Sequence, residues 1–165
     1  MLKLTEAGFL GFRIIRGRVR WTEKSKKKFE SEVRKITGRT RGVSPARVIE
    51  ELKNYVRGAV NHYVIGLNFA EARELDQWMR RRTRLYYWKQ WGRPRPRRRR
   101  LLRLGIGRDE VKLASRSRKG PQRMSGNSIV QRAMSNAWLK QQGVPSIKEQ
   151  WISIRYPNGP KGPKG

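Results

Sequence analysis

Near the N-terminus, in the stretch GFLGFRIIRGRVRW, apolar and basic side chains alternate with a period of two. Phe12 and Ile14 fall on one face with Arg13 and Ile15 on the other, and Val19 and Trp21 then alternate with Arg18 and Arg20. That period predicts a β-hairpin turning near Arg16-Gly17. Two strands alone are marginally stable, so the hairpin is expected to lean on helices or on further sheet. Beyond Ser25 the period lengthens. Phe29, Val33 and Ile36 recur at spacings of four and three, which predicts a helix from Ser25 to about Thr37, closed by Gly38. A second helix opens at Ser44, a natural N-cap, with Pro45 at its first position. Its stripe is Val48, Leu52, Tyr55, Ala59, Tyr63 and Leu67, and Gly58 within it suggests close packing against a neighbour. Asn68 with Glu71 three residues on is a capping arrangement that starts a third helix. Leu75, Trp78, Met79, Leu85 and Tyr86 are its expected inward residues, with Arg73, Gln77, Arg80, Arg84 and Tyr87 on the other side. Arg82 and Lys89 interrupt the apolar face, so one flank is expected to stay in water.

After Trp91 the pattern breaks down. GRPRPRRRR cannot prolong the third helix, because its prolines remove donors and its charges repel, and residues 93–100 read as a basic linker. A short helix is expected near Arg98–Leu104, another from Asp109 to about Ser115, and then a loop, SRSRKGPQRMSGN. Ile129, Val130, Ala133, Met134, Ala137 and Trp138 form one stripe, predicting a helix from Ser128 to Gln142 that Gly143 and Pro145 end. SIKEQWISIRY reads as a last helix or strand, and PNGPKGPKG as a flexible tail. The predicted fold class is mainly α. A β-hairpin (1–22) leads into a three-helix bundle (23–92), the linker, a smaller C-terminal helical unit (101–156) and the tail (157–165).

Charge changes this picture more than size does. The 165 residues carry 41 Lys and Arg against 12 Asp and Glu, a formal net charge of +29. Self-repulsion on that scale opposes compaction unless a polyanion neutralises it, and nucleic acid, whose contacted phosphates release condensed counterions, is the commonest such partner. An anionic membrane is the rival. No stretch approaches the roughly 20 apolar residues needed to span a bilayer, and no basic-then-apolar signal sequence opens the chain. The expectation is a cytoplasmic, nucleic-acid-associated protein without membrane contact. With no Cys, disulfides and thiolate metal sites are excluded, and the single His62 rules out a zinc finger. Six Trp, five Tyr and four Phe supply bulk for a core.

Candidate catalytic groups are few. Two-metal chemistry needs clustered carboxylates, whereas Asp76 and Asp109 are the only aspartates and each sits in a basic, helical context. His62 has no nucleophile or triad pattern near it, and Gly105-Ile106-Gly107 belongs to no phosphate-binding fingerprint. No catalytic residue, metal or cofactor is expected. Binding is better served. Between Leu75 and Arg100 arginines and aromatics interleave, and a guanidinium forks onto phosphate while flat rings stack on bases. The expected RNA-contacting residues are Arg80, Arg81, Arg84, Tyr87, Lys89, Trp91, Arg93, Arg95 and Arg97 to Arg100 (Arg97, Arg98, Arg99, Arg100). Arg116, Arg118, Lys119 and Arg123 form a second basic group beside Gly120. The plainer reading keeps Trp78, Tyr86 and Trp88 in the core with the arginines in solvent. Lys24 and Lys26 to Lys28 solvate the first helix or add to the basic surface.

Several strings line up, in order, with one family. FLGF at Phe9–Phe12 resembles the last hairpin of the reverse transcriptase palm in group II intron-encoded proteins. RKITGRTRGVSPARVIEELKNYVRGAVNHYV resembles the opening of their maturase-specific, or thumb, domain. LDQWMRRRTRLYYWKQW, LGI at Leu104–Ile106, SRKGPQRMS at Ser117–Ser125 and QGVPSIKEQW at Gln142–Trp151 are similar to the later blocks of bacterial members. The resemblance runs from about Gly8 to Trp151. It departs at Ala59, where the family has an aromatic, and at Gln122, where it has Trp. Neither the upstream fingers and palm, with their metal-binding Asp-Asp sequence, nor a downstream His-Asn-His nuclease has a counterpart here.

The resemblance implies a three-helix thumb that grips an RNA-containing duplex and structured group II intron RNA, assisting self-splicing in which the RNA does the chemistry. The chain is then expected to be the C-terminal part of a reverse transcriptase/maturase, with no polymerase activity of its own and with a separately made palm as a further partner. The rival is a structural RNA-binding protein of ribosomal type.

Overall fold

The computed structural model describes residues 10–159, so Phe9 of the FLGF string and the tail beyond Gly159 lie outside the described residues. β1 (Phe12–Ile15) and β2 (Arg18–Trp21) pair antiparallel, Phe12 opposite Trp21 and Ile15 opposite Arg18. Arg16 and Gly17 both take positive φ, 49° and 73°, the combination that lets a two-residue turn follow the twist of the strands. The hairpin leans on helices, as Trp21 N donates to Gly66 O at 3.3 Å and the Phe12 ring meets Tyr63 edge-on. This contact explains Gly66: a Cβ there would lie 2.6 Å from Trp21 N and 2.8 Å from the Phe12 ring.

α1 (Glu23–Ile36) begins at Thr22, whose hydroxyl accepts from Ser25 N, and buries Phe29 and Val33. α2 (Pro45–Tyr63) starts at Ser44 and Pro45 as the caps dictate. It stops at Tyr63, before Leu67, and its most buried positions are Val48, Ile49, Leu52, Val56 and Val60, so Tyr55 and Ala59 fall at the edge of the stripe. Gly58 faces open space instead of a neighbour; the close approach expected there occurs at Gly66. α3 (Phe69–Trp91) opens with a complete capping box: Asn68 Oδ1 accepts from Glu71 N at 2.7 Å, and Glu71 accepts from Asn68 N at 3.0 Å.

The C-terminal third wraps around α3. The 93–100 stretch is helical rather than a linker: α4 spans Pro94–Arg103, with Pro94 at its first position. First-turn residues have no intrahelical acceptor for their N–H groups, so Pro94 and Pro96 remove no bond there, and the break with α3 falls at Gly92 (φ 64°). α5 (Arg108–Ser115) and the short α6 (Pro121–Met124) follow. The single helix expected over Ser128–Gln142 is two, α7 (Ser128–Ala133) and α8 (Asn136–Gln141), parted at Met134. Ser135 caps the second of them through Trp138 N, and Ala137 of the expected stripe is exposed. α9 (Ile147–Arg155) settles the last segment as a helix.

One core runs from Trp21 to Trp151 through all of these elements. α3 is its axis. From Thr83 to Trp88 every side chain is buried, the signature of a helix enclosed on all sides rather than lying on a surface. Polar groups on such a helix need partners inside the fold, and Trp88 Nε1 is the one buried side-chain atom of α3 that lacks one among the described residues. Thr83 Oγ1 donates to Met79 O at 3.0 Å, and Tyr86 Oη donates to Val43 O. Asp76, 1% exposed, accepts from Arg80, from Ser146 Oγ at 3.2 Å and from Ile147 N at 2.8 Å, pinning the start of α9 to α3. Far from a solvated helix-face carboxylate, it is a tertiary cap.

Candidate nucleic-acid interface

No Asp or Glu occurs between Asp76 and Asp109, so the arginines of this stretch must find partners elsewhere or none. Those on α3 find them. Arg80 pairs with Asp76, and Arg81 Nε donates to Ser125 Oγ at 3.4 Å while its side chain stays exposed. Arg84 is buried: Nε donates to Met134 O and Nη2 to Asn136 Oδ1, both at 2.8 Å. Burial, with Arg80 nearby, pushes its guanidinium below the usual arginine range. Of the expected RNA-contacting set, Arg84, Tyr87 and Trp91 are therefore placed in the interior. Tyr87 packs edge-on against Trp138 with ring centroids 5.0 Å apart, and Trp91 lies against Trp88. Neither ring offers a free face to a base. Of the aromatics assigned to the core, Tyr86 and Trp88 are fully enclosed and Trp78 is partly so, beneath the Arg34 guanidinium at 5.3 Å.

α4 is arranged differently. Leu101 is its one fully buried residue, and two arginines lie over tryptophan rings: the half-buried Arg97 at 4.6 Å from Trp88 and the exposed Arg100 at 5.8 Å from Trp91. Their aliphatic stems cover apolar surface while the charge sits on the negative face of a ring. Burial lowers the Arg97 guanidinium from its usual range. Arg95, Arg99 and Arg103 recur at intervals of four along the outer side, with Arg98 beside them, all exposed. Among the described residues none of these four is in a salt bridge. Arg103 lies outside the expected set, which stops at Arg100 with the expected linker; the four-residue recurrence is the signal that points to it. Lys89 and Arg93 are exposed where α3 gives way to α4.

Arg116 caps the C-terminal end of α5, and Arg118, Lys119 and Arg123 follow, all exposed. Lys119 N donates to Ser117 Oγ at 3.2 Å, bending this loop back on itself. A further cationic group lies outside both expected sets. Arg82, half-buried and donating to Thr37 Oγ1 at 3.2 Å, lines a cleft of about 560 Å³ with Arg39 and Gln122. Burial first, then the charges of Arg34 and Arg39, lower its guanidinium, although Arg34 itself pairs with Glu30 at 3.3 Å. The interruption of the apolar face by Arg82 is the only trace of this in the sequence.

His62 is exposed, its ring against Phe12 and Tyr63. No three acidic, imidazole or thiol side chains among the described residues group as metal ligands. No helix among them is long and apolar enough to cross a membrane.

Comparison with known proteins bears on the same region. No curated protein matches the chain. Residues 26–105, from the first turn of α1 to the end of α4, match the family model described as the group II intron, maturase-specific domain. Residues 26–105, just under half of the 165-residue chain, are thus similar to the group II intron, maturase-specific domain.

Proposed function

We propose that this protein binds structured group II intron RNA and assists its splicing, and that the outer face of α4 is its principal grip. The observation that carries this reading is the row Arg95, Arg99 and Arg103 with Arg98, four exposed guanidiniums with no acidic partner among the described residues, on a helix anchored by Leu101 and two tryptophans. A rigid cationic row matches the regular spacing of phosphates in an RNA helix, and phosphate contacts position a protein while shape confers preference. Arg116, Arg118, Lys119 and Arg123 supply a second contact, with Arg81, Lys89 and Arg93 between or beside the two.

The test is binding of the purified chain to a group II intron RNA and to an unrelated structured RNA of equal length across a salt series. The expected outcome is that the intron stays bound at salt that strips the control. Superimposed log–log lines would instead make the chain an electrostatic RNA binder of ribosomal-protein type. A second reading, contribution to an RNA-directed DNA polymerase beside a separately made palm and a thumb-like grip on template duplex, is supported by the hairpin. Its Ile14 and Val19 are 56% and 41% exposed, side chains suited to being covered by more sheet. Retention of a reverse transcriptase palm by the wild-type chain, and its loss on Ile14→Lys/Val19→Lys, would favour it.

A further inference from the structure

We propose that the cleft enclosed by α5, α6 and the start of α7 holds a single unpaired nucleotide, its base on an apolar floor and its phosphate on a cationic rim. The proposal deepens the RNA-binding reading and rests on it. The cleft measures about 680 Å³, within the roughly 300–1,000 Å³ of small-molecule sites. Met124 and Ile129, both core residues, form part of its lining, and Leu113 completes it while 71% exposed. α5 turns Val111 and Ala114 into the core, so Leu113 is not needed for packing and stands toward the cleft. A concave, mostly apolar surface with a few convergent polar groups is the usual form of a small-ligand site.

Lys112, Arg116 and Lys119 line the same cleft. The nearby Glu110 is engaged by Arg132, and none of the three cations has an acidic partner among the described residues. That combination separates an extruded nucleotide from a duplex. A duplex presents phosphates and keeps its bases stacked, so it has no use for Leu113, Met124 and Ile129. An unpaired nucleotide presents a phosphate and a flat apolar face together, and guanidinium planes such as Arg116 stack on such faces. Two further groups suit a base edge. Asp109 lines the cleft, repels phosphate, and accepts from exocyclic amino groups. Asn127 uses Oδ1 to cap α7, accepting from Ile129 N at 2.9 Å, which leaves its NH₂ group as a donor. An acidic, leucine-containing peptide would satisfy the rim and floor but not Asp109, which favours the nucleotide.

The experiment uses the full chain and two RNA hairpins with the same stem, one fully paired and one carrying a single bulged 2-aminopurine, at about 150 mM salt. The expected result is about tenfold tighter binding of the bulged hairpin, with a change in 2-aminopurine fluorescence. Leu113→Gln, which leaves charge and core untouched, should abolish the preference while paired-hairpin affinity and thermal melting stay as in the wild type. Equal affinity for both hairpins in the wild type overturns the site while leaving the RNA-binding reading standing. So does an equal weakening of both by Leu113→Gln. Failure to bind either hairpin overturns the RNA-binding reading and the site with it. A Glu/Leu peptide that binds in a Leu113-dependent way, while 2-aminopurine fluorescence stays flat, replaces the nucleotide by a protein partner.

Discussion

Two runs of arginine, one from Arg80 to Arg84 on α3 and one from Arg95 to Arg103 on α4, carry the same chemistry into opposite surroundings. On α3 the guanidiniums are met by protein: Arg80 by Asp76, Arg81 by Ser125, Arg82 by Thr37, Arg84 by Met134 and Asn136. On α4 Arg97 and Arg100 rest on tryptophan faces, and Arg95, Arg98, Arg99 and Arg103 remain exposed. The difference lies in enclosure. α3 is surrounded by α2, α4, α6 and α9, so its arginines meet acceptors from neighbouring elements, whereas α4 lies at the rim with one side toward water. Enclosure, not composition, decides which of these arginines stay exposed.

That contrast can be broken by mutation. Asp76→Ala removes the acceptor shared by Arg80, Ser146 and Ile147, and is expected to lower stability by about 3–5 kcal/mol, read as a fall in the urea midpoint. Arg84→Ala leaves Met134 O and Asn136 without their donor and should cost about 1–3 kcal/mol with little effect on the salt dependence of RNA binding. Gly66→Ala drives a Cβ into the Trp21 backbone, and a destabilisation of about 1–3 kcal/mol is expected, with the hairpin's amides exchanging faster. The combined Arg98→Ala/Arg99→Ala/Arg103→Ala variant should hold its stability within about 0.5 kcal/mol per site. Its log–log salt slope for RNA should shrink by about 0.9 for each phosphate it no longer neutralises. A variant that unfolds instead, with an unchanged slope, would reverse the roles given to the two helices. Gly58→Ala, in open space within a helix, should raise stability by about 0.5–1 kcal/mol, seen as a higher melting temperature.

Local signals are legible in the sequence and enclosure is not. The hairpin turn, Ser44-Pro45 and Asn68 with Glu71 are caps and turns whose physics is complete within four residues, and each stands where the sequence places it. The burial of Arg84 and Tyr87 has no such signal. Periodicity assigns a helix one apolar face, and α3 is buried on every side because later helices close over it. α4 is hidden by a rule that holds at a different point: proline forbids continuing α3 but is at home in the first turn of a new helix. The parting of α7 from α8 coincides with the Met134 carbonyl that Arg84 engages, a partner 50 residues away in the chain. Of the expected RNA-contacting residues, the exposed ones are visible as charge, but which arginines are exposed depends on packing that only the fold contains.

The anchoring of α9 on Asp76 spans 71 residues of chain, and Trp151 Nε1 reaches back to Leu67 O across 84. The matched segment ends at residue 105, so the physical unit is longer than the family domain. On a ribosome, which releases a chain from its N-terminus, the arginines of α4 emerge well before α9 can close over α3. The nascent chain thus carries its positive charge into water while its axis is still open, before the helices that close over α3 have been made.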